Sequence, residues 1–246
     1  KHAINQALVA TEIPTKNVVP RQVQVKDTDC FQALLGKAKV PSSDFLNLEM
    51  ITKISGSGFS CLIQPIVISV VLAGVLHDIV FDHCYLTFTG EPHLVIFRPT
   101  ILQANKYIEN IFDLFFEKTT ESAKQNRSAA LLNAIGSQFN VLDEVFPKGV
   151  NVNFAEILSD NKIAVRCFER GINSETYACG TGATAVAVMA NELGISKAAQ
   201  ISILPWRAGF EALYRDNEII VSNHRGEYLL ATKSMFISKG EYYYSL

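Results

Sequence analysis

Glu169 to Gly194 reads ERGINSETYACGTGATAVAVMANELG, a polar stretch that runs into one cysteine among glycines and then into a run of small and apolar residues. Ala183 to Leu193 holds no proline, and Gly194 is placed to close a helix as its C-cap, so the spacing predicts a helix beginning near Gly180 or Thr181. Cys179 then sits at the helix N-terminus. There the unpaired N–H groups and the positive end of the macrodipole favour an anionic ligand and a thiolate alike. A cysteine so placed has a depressed pKa and is a candidate acid/base or nucleophile. The bland reading is a small buried residue in a glycine-rich cap.

The chain around this stretch has 246 residues, 48% hydrophobic and 19% charged, with a net charge of −2. That length suits one large or two small domains with a sizeable core. The near-neutral charge and the lack of a Lys/Arg run argue against nucleic acid or an anionic membrane as the main partner and leave a small molecule or a protein. A homodimer stays open. Five cysteines (Cys30, Cys61, Cys84, Cys167, Cys179) include no C-x-x-C pair, which fits a reduced, cytoplasmic compartment better than a disulfide framework. No His/Cys/Asp spacing points to a metal, and Gly180-Thr181-Gly182 is not a P-loop, because no G-K-[ST] follows. No secretory leader or lipidation motif is expected, and Lys1 is not an initiator residue.

Ahead of the motif, Ala3 to Glu12 reads as a short helix, Val18 to Lys26 as a half-buried strand, Phe31 to Leu35 as a brief apolar patch and Leu46 to Ile54 as a strand ending in the turn Ser55 to Gly58. Ile54 to His77 contains no Asp, Glu, Lys or Arg. Gln64, Pro65, Ser69 and Gly74 interrupt it, however, and its Val/Ile richness suits two buried strands, Ile66 to Leu72 and Val75 to Phe81, better than a membrane span. Strands follow at Leu86 to Thr89 and in GEPHLVIF, Gly90 to Phe97. A helical stretch over Ile101 to Ile135 holds a helix to Phe116 and a weaker one from Ser122. Phe146 to Leu158 starts with a Pro-x-Gly turn and then alternates into a strand, and Lys162 to Phe168 is predicted as another. Beyond the motif helix strands recur at Ile201 to Leu204, Phe210 to Tyr214, Glu218 to Val221, Tyr228 to Ala231 and from Phe236 onward, with turns at Asp216-Asn217 and Arg225-Gly226.

Several polar residues admit two readings. Glu169 and Arg170 are either a solvated surface pair or ligand contacts. His93, after Pro92 at a strand start, is structural or catalytic. Asn151 and Asn153 alternate with apolar residues and share one face of a strand, either solvated or a cleft wall. Glu175 and Thr176 read as caps for the coming turn, and the cysteines other than Cys179 as core.

Three separated segments, GEPHLVIF from Gly90, FPKGVNVNF from Phe146 and ERGINSETYACGTGA from Glu169, together resemble the diaminopimelate epimerase family, cofactor-independent epimerases and racemases of amino acids. The resemblance covers roughly Leu86 to the C-terminus. It implies an α+β fold of two pseudo-symmetric halves, each a mixed sheet curled around a central helix, with one cysteine from each half facing the substrate. Cys179 matches the second-half cysteine. The resemblance further implies backbone donors to the substrate carboxylate at Gly180 and Thr181, polar contacts from Glu169 and Arg170, and a cleft lined by Asn151, His93 and Glu91. Residues 1–55 would be a partial first half, to which a strand at about 235–246 returns, and residues 56–234 the second half, with the helical stretch 101–135.

Two positions depart from the family pattern. The first-half signature C-G-N-G is absent, so either it lies upstream of Lys1 or this half has diverged. Glu91 stands where the family usually shows asparagine, and a carboxylate there favours a cationic or hydrogen-bond-donating ligand group. The implied activity is PLP-independent epimerisation of an amino acid, LL- to meso-diaminopimelate, by thiol acid/base catalysis. The alternatives are a non-catalytic or substrate-diverged relative lacking the second thiol, and a thiol hydrolase pairing Cys179 with His93.

Overall fold

The computed structural model describes residues 20–25, 28–53, 60–62, 65–72, 74–99, 106–206 and 218–233. The strands before the first helix are β1 (Pro20–Val25), β2 (Thr28–Gly36), β3 (Ile51–Lys53), β4 (Ser60–Leu62), β5 (Ile66–Leu72), β6 (Val75–Phe81), β7 (Tyr85–Phe88) and β8 (Pro92–Phe97). Helices α1 (Lys106–Phe116) and α2 (Ser122–Asn140) follow, then β9 (Asn151–Ser159), β10 (Lys162–Glu169) and β11 (Ser174–Thr176). The chain continues through α3 (Gly180–Glu192), β12 (Gln200–Pro205), β13 (Ile219–His224) and β14 (Glu227–Lys233). The architecture is α+β. The expected helix over Ala3 to Glu12, the Ser55 to Gly58 and Asp216-Asn217 turns, the strand at Phe210 to Tyr214 and the terminal strand lie outside the described residues.

One mixed sheet runs β1-β2-β14-β13-β12-β10-β9-β8-β7-β4-β3, with β11 added on β10 and β5-β6 as a separate hairpin. The β8–β9 pair is parallel, with His93 opposite Asn151 and Val95 opposite Asn153. Parallel neighbours need a long crossover, and α1 and α2 supply it. Strands β8, β9 and β10 are buried on both faces because helices cover both. Leu94, Ile96, Val152, Phe154 and Phe168 point into one core with Ile108, Ile111, Phe112 and Phe115 of α1 and Leu131, Leu132, Ile135 and Phe139 of α2. Val95, Phe97, Ala155, Ile163 and Val165 point into a second core around α3. Such strands read as near-continuous apolar runs.

Helix α3 is buried from Gly182 through Ala190, and β7, β8, β9, β10, β12, β13 and β14 all touch it. A helix apolar on all sides belongs inside a core, and here the sheet curls around it. Its small residues let strand backbones approach closely. A Cβ on Gly182 would stand 2.5 Å from Asn153 Oδ1, so only glycine fits there. Gly194 takes φ +69 just past the C-cap Leu193, as its helix-stopping role requires.

Three expectations change. Leu46 to Ile54 is not one strand, since a 3-10 turn at Leu48–Met50 precedes the three residues of β3. Leu46 is buried in the core and the Asn47 N–H donates to the Val145 carbonyl at 3.0 Å, which ties this segment to the loop before β9 rather than to a ladder. The Phe31 to Leu35 patch is part of the nine-residue β2, paired with β14 on one side and β1 on the other. The β5–β6 hairpin is buried on one face only. Ile66, Ile68, Val70, Ile79 and Phe81 are in the core, while Val67, Val71, Val75 and Leu76 are exposed. No helix among the described residues is long and apolar enough to cross a membrane.

Candidate active site

Cys179 is the N-cap of α3, with extended backbone (φ −128, ψ 113), and its sulfur accepts the Gly182 N–H at 3.3 Å. The thiol thus takes the place that Ser or Asp takes in an ordinary cap and draws on the same unpaired donors. Thr181 Oγ1 lies 3.4 Å from the sulfur and 3.0 Å from His93 Nε2. Asn153 Nδ2 donates to His93 Nδ1 at 3.1 Å and to the Leu94 carbonyl at 3.1 Å. Because Asn153 donates to Nδ1, the neutral ring carries its proton on Nε2 and donates it to Thr181. The Thr181 hydroxyl is then free to donate to Cys179. The chain Asn153, His93, Thr181, Cys179 therefore runs donor to acceptor and ends on the sulfur, which favours the thiolate. Thr89 fixes the same turn by donating its hydroxyl to the Thr181 carbonyl at 2.8 Å.

A second thiol adjoins the first. Cys167 and Glu169, two apart on β10, share the strand face turned toward α3, and Cys167 Sγ, Cys179 Sγ and a Glu169 carboxylate oxygen all lie within 4.8 Å of one another. The Cys167 thiol, donating to Cys179, is the main influence holding Cys179 below its ordinary pKa. The Thr181 hydroxyl and the Gly182 N–H act in the same direction, against burial and the Glu169 charge. Cys167 is pushed well up by that same hydrogen bond, by burial and by the charge on Cys179. The two thiols are thus pushed apart, with Cys179 made the more acidic and Cys167 the less acidic of the pair. Burial first, and then the charge of Arg170, lowers His93 to about 3, so its imidazole is neutral at every ordinary pH.

Beside this turn opens a cleft of about 590 Å³ lined by Glu91, Asp143, Lys148, Asn151, Glu169 and Arg170 among others. Arg170 donates from one guanidinium nitrogen to Glu91 at 2.7 Å and from another to the Lys148 carbonyl at 2.7 Å, while its backbone N–H donates to Asn151 Oδ1 at 3.0 Å. Asn140, near the end of α2, donates to the Val150 carbonyl and accepts the Val150 N–H, which pins the start of β9 and with it Asn151. Cys179 does not line the cleft. Glu169 joins the two, lining the cleft while its carboxylate faces the thiols.

Glu91, His93, Asn151, Glu169, Arg170, Cys179, Gly180 and Thr181 all fall in this region. Glu169 and Arg170 are not paired with each other. Glu169 accepts from the Thr176 hydroxyl at 2.6 Å, and Arg170 pairs with Glu91. Glu175 does not cap the α3 turn. Its carboxylate holds Arg166 through two bonds of 2.7 and 2.8 Å, on the strand face away from α3. Asn151 and Asn153 are both buried, so their face is not solvated. Cys84 is core, and the side chains of Cys30 and Cys61 lie outside the described residues. Cys167 is buried, as expected of a core cysteine, but it also adjoins Cys179; the signal for that contact is the two-residue strand step to Glu169, which puts both on one face.

Residues 123–222 match the family model described as diaminopimelate epimerase. The segments from Phe146 and Glu169 lie inside that match, and the segment from Gly90 lies before it. A diaminopimelate epimerase of Aquifex aeolicus is 44% identical over 70 residues, 28% of this chain and 25% of that protein. One from Methanococcus maripaludis strain C5 is 33% identical over 146 residues, 57% of this chain and 42% of that protein. The chain spans less than half the length of these curated relatives. A solved structure titled as a predicted epimerase from Pseudomonas aeruginosa aligns with a TM-score of 0.47 at 15% identity, covering 95% of this chain and 66% of that one.

Proposed function

We propose that this chain, which belongs to the diaminopimelate epimerase family through residues 123–222, carries one acid/base half of an isomerase that inverts an amino-acid α-carbon without a cofactor. The observation that carries the reading is Cys179 at the N-cap of α3, its sulfur fed by donors from Gly182, Thr181 and Cys167. Inversion takes a proton from one face of a very weak carbon acid and returns one to the other. A thiol with a depressed pKa is a suitable base for the first step, and the N–H groups at the start of α3 stabilise charge that develops on the substrate carboxylate. Gly180 and Thr181 are the residues of that first turn.

The cleft suits a substrate with several charges. It is lined by the acidic residues Glu91, Asp143 and Glu169 and by the cations Lys148 and Arg170. Diaminopimelate, with two ammonium and two carboxylate groups, matches such a lining, and LL- to meso-conversion is the reaction we assign. Arg170 and Glu91 are already paired, so a substrate carboxylate that engages Arg170 must share it with Glu91. A reduced, cytoplasmic compartment keeps the thiols available. Hydrolysis by a Cys179–His93 dyad is disfavoured on physical grounds: Thr181 stands between ring and sulfur, and a buried imidazole lowered to about 3 is a poor base.

Incubation in deuterium oxide with LL- and meso-diaminopimelate tests the assignment. Deuterium at the α-carbon is expected. Incorporation with inversion requires a second thiol opposite Cys179, and incorporation with retention requires Cys179 alone. Absence of incorporation with any diamino acid contradicts the assignment.

A further inference from the structure

We propose that Cys167, Glu169 and Cys179 form a binding site for a thiophilic divalent cation of the zinc or cadmium type. The donor set is two sulfurs and one carboxylate oxygen, all within 4.8 Å of one another. Tetrahedral zinc with metal–sulfur bonds near 2.3 Å sets sulfur–sulfur edges of roughly 3.8 Å, so closure requires a contraction of about 1 Å or less. A larger cadmium ion requires less. Two thiolates select soft or borderline cations over magnesium and calcium.

The supports of the site are built in. Cys167 and Glu169 hold their relation through the strand step of β10, and Cys179 is fixed by the cap of α3. The Thr176 hydroxyl donates to Glu169 Oε1 at 2.6 Å, which orients the carboxylate and leaves its other oxygen for the metal. Thr176 stands opposite Cys167 in the β10–β11 ladder, so one short hairpin positions both ligands. Glu169 also lines the cleft, which gives an ion a way in and leaves a fourth position for water or a ligand. In binding, two metal–sulfur bonds and one metal–oxygen bond form, each remaining thiol proton leaves to solvent, and no oxidation occurs. The resulting charge of −1 lies at the helix N-terminus, where the macrodipole favours it.

Binding does not depend on the epimerase reading. Its consequence does: a metal that draws charge from the Cys179 sulfur lowers its basicity and blocks its approach to a substrate, so the ion would switch off the base. The test is cadmium titration of the reduced full chain, read by thiolate-to-cadmium charge-transfer absorption, with zinc as competitor and no activity measured. One equivalent is expected to bind, zinc is expected to displace it, and Cys84→Ala is expected to leave it unchanged. Cys167→Ala and Cys179→Ala should each abolish the stoichiometric band, and Glu169→Gln should weaken binding by at least about tenfold. The proposal is overturned if no equivalent binds, if the band persists in Cys167→Ala, or if Glu169→Gln, a near-isosteric change at a partly buried position, binds as the wild type does.

Discussion

Arg166–Glu175 and Arg170–Glu91 are the same ion pair in two surroundings, with their arginines four residues apart. The first pair is sealed between β10, β11 and the two crossover helices, its side chains 1% and 2% exposed. Arg166 also donates to the Phe115 carbonyl at 3.0 Å and to the Ser128 hydroxyl, so each of its three nitrogens is hydrogen-bonded. The second pair edges the cleft, 25% and 46% exposed. Burial makes the first pair architecture, because neither partner can be removed without stranding the other. Exposure makes the second adjustable, since a ligand or water can replace either partner. Strand β10 carries both worlds: Arg166 and Phe168 face α1 and α2, while Cys167 and Glu169 face α3.

The contrast breaks most readily at Arg166. Arg166→Met leaves the Glu175 carboxylate buried without its partner, and urea unfolding should show a loss of about 3–5 kcal/mol. A loss below about 1 kcal/mol would mean that Glu175 reaches solvent and that the pair is not structural.

His93 gives a pH-dependent effect on the α3 side. Its folded pKa of about 3 lies below the unfolded value of 6.5, so the unfolded chain takes up a proton that the folded chain refuses. The stability this group contributes is fully present above pH 6.5 and is lost as pH falls from there toward 3. The slope should reach about 1.4 kcal/mol per pH unit. His93→Gln should flatten this part of the profile in urea titrations at successive pH values. An unchanged profile would show that the ring is not held neutral by burial.

The thiol pair sharpens the comparison without a large energy. Alkylation of Cys179 by iodoacetamide should rise with pH through a midpoint below that of an ordinary thiol, and Cys167→Ala should move the midpoint upward. A midpoint that stays put in the variant would remove Cys167 from the tuning of the base. The smallest stability effect belongs to Arg170→Ala. It should cost less than about 1 kcal/mol in the same urea assay while raising KM for a diamino substrate. A cost comparable to that of Arg166→Met would erase the distinction between the two pairs.

Legibility in the sequence followed the range of the interactions. Helix α3 and its cysteine cap were readable because glycine spacing, small residues and a closing Gly194 are all local. The β8, β9 and β10 strands were readable as apolar runs, and the two-sided burial behind those runs follows from the crossover helices on one face and α3 on the other. Arg166 was not readable: nothing in IAVRCFE distinguishes a buried arginine held by Glu175 across a hairpin from a surface one. Leu46 to Ile54 looked like a strand because apolar content does not reveal that Asn47 is bonded to Val145 nearly a hundred residues away. His93 left two roles open in the sequence, and only its neighbours Asn153 and Thr181 turn it into a neutral link in a donor chain.

The role of Cys179 as base is tested most directly by the rate of α-deuterium incorporation into diaminopimelate, compared between the wild type and Cys179→Ala, with folding of the variant checked by circular dichroism. Loss of general base catalysis should slow incorporation by about 10²–10⁴-fold or to the limit of detection. Incorporation at the wild-type rate in a folded Cys179→Ala protein would contradict the account, because the proton would then be taken by another group.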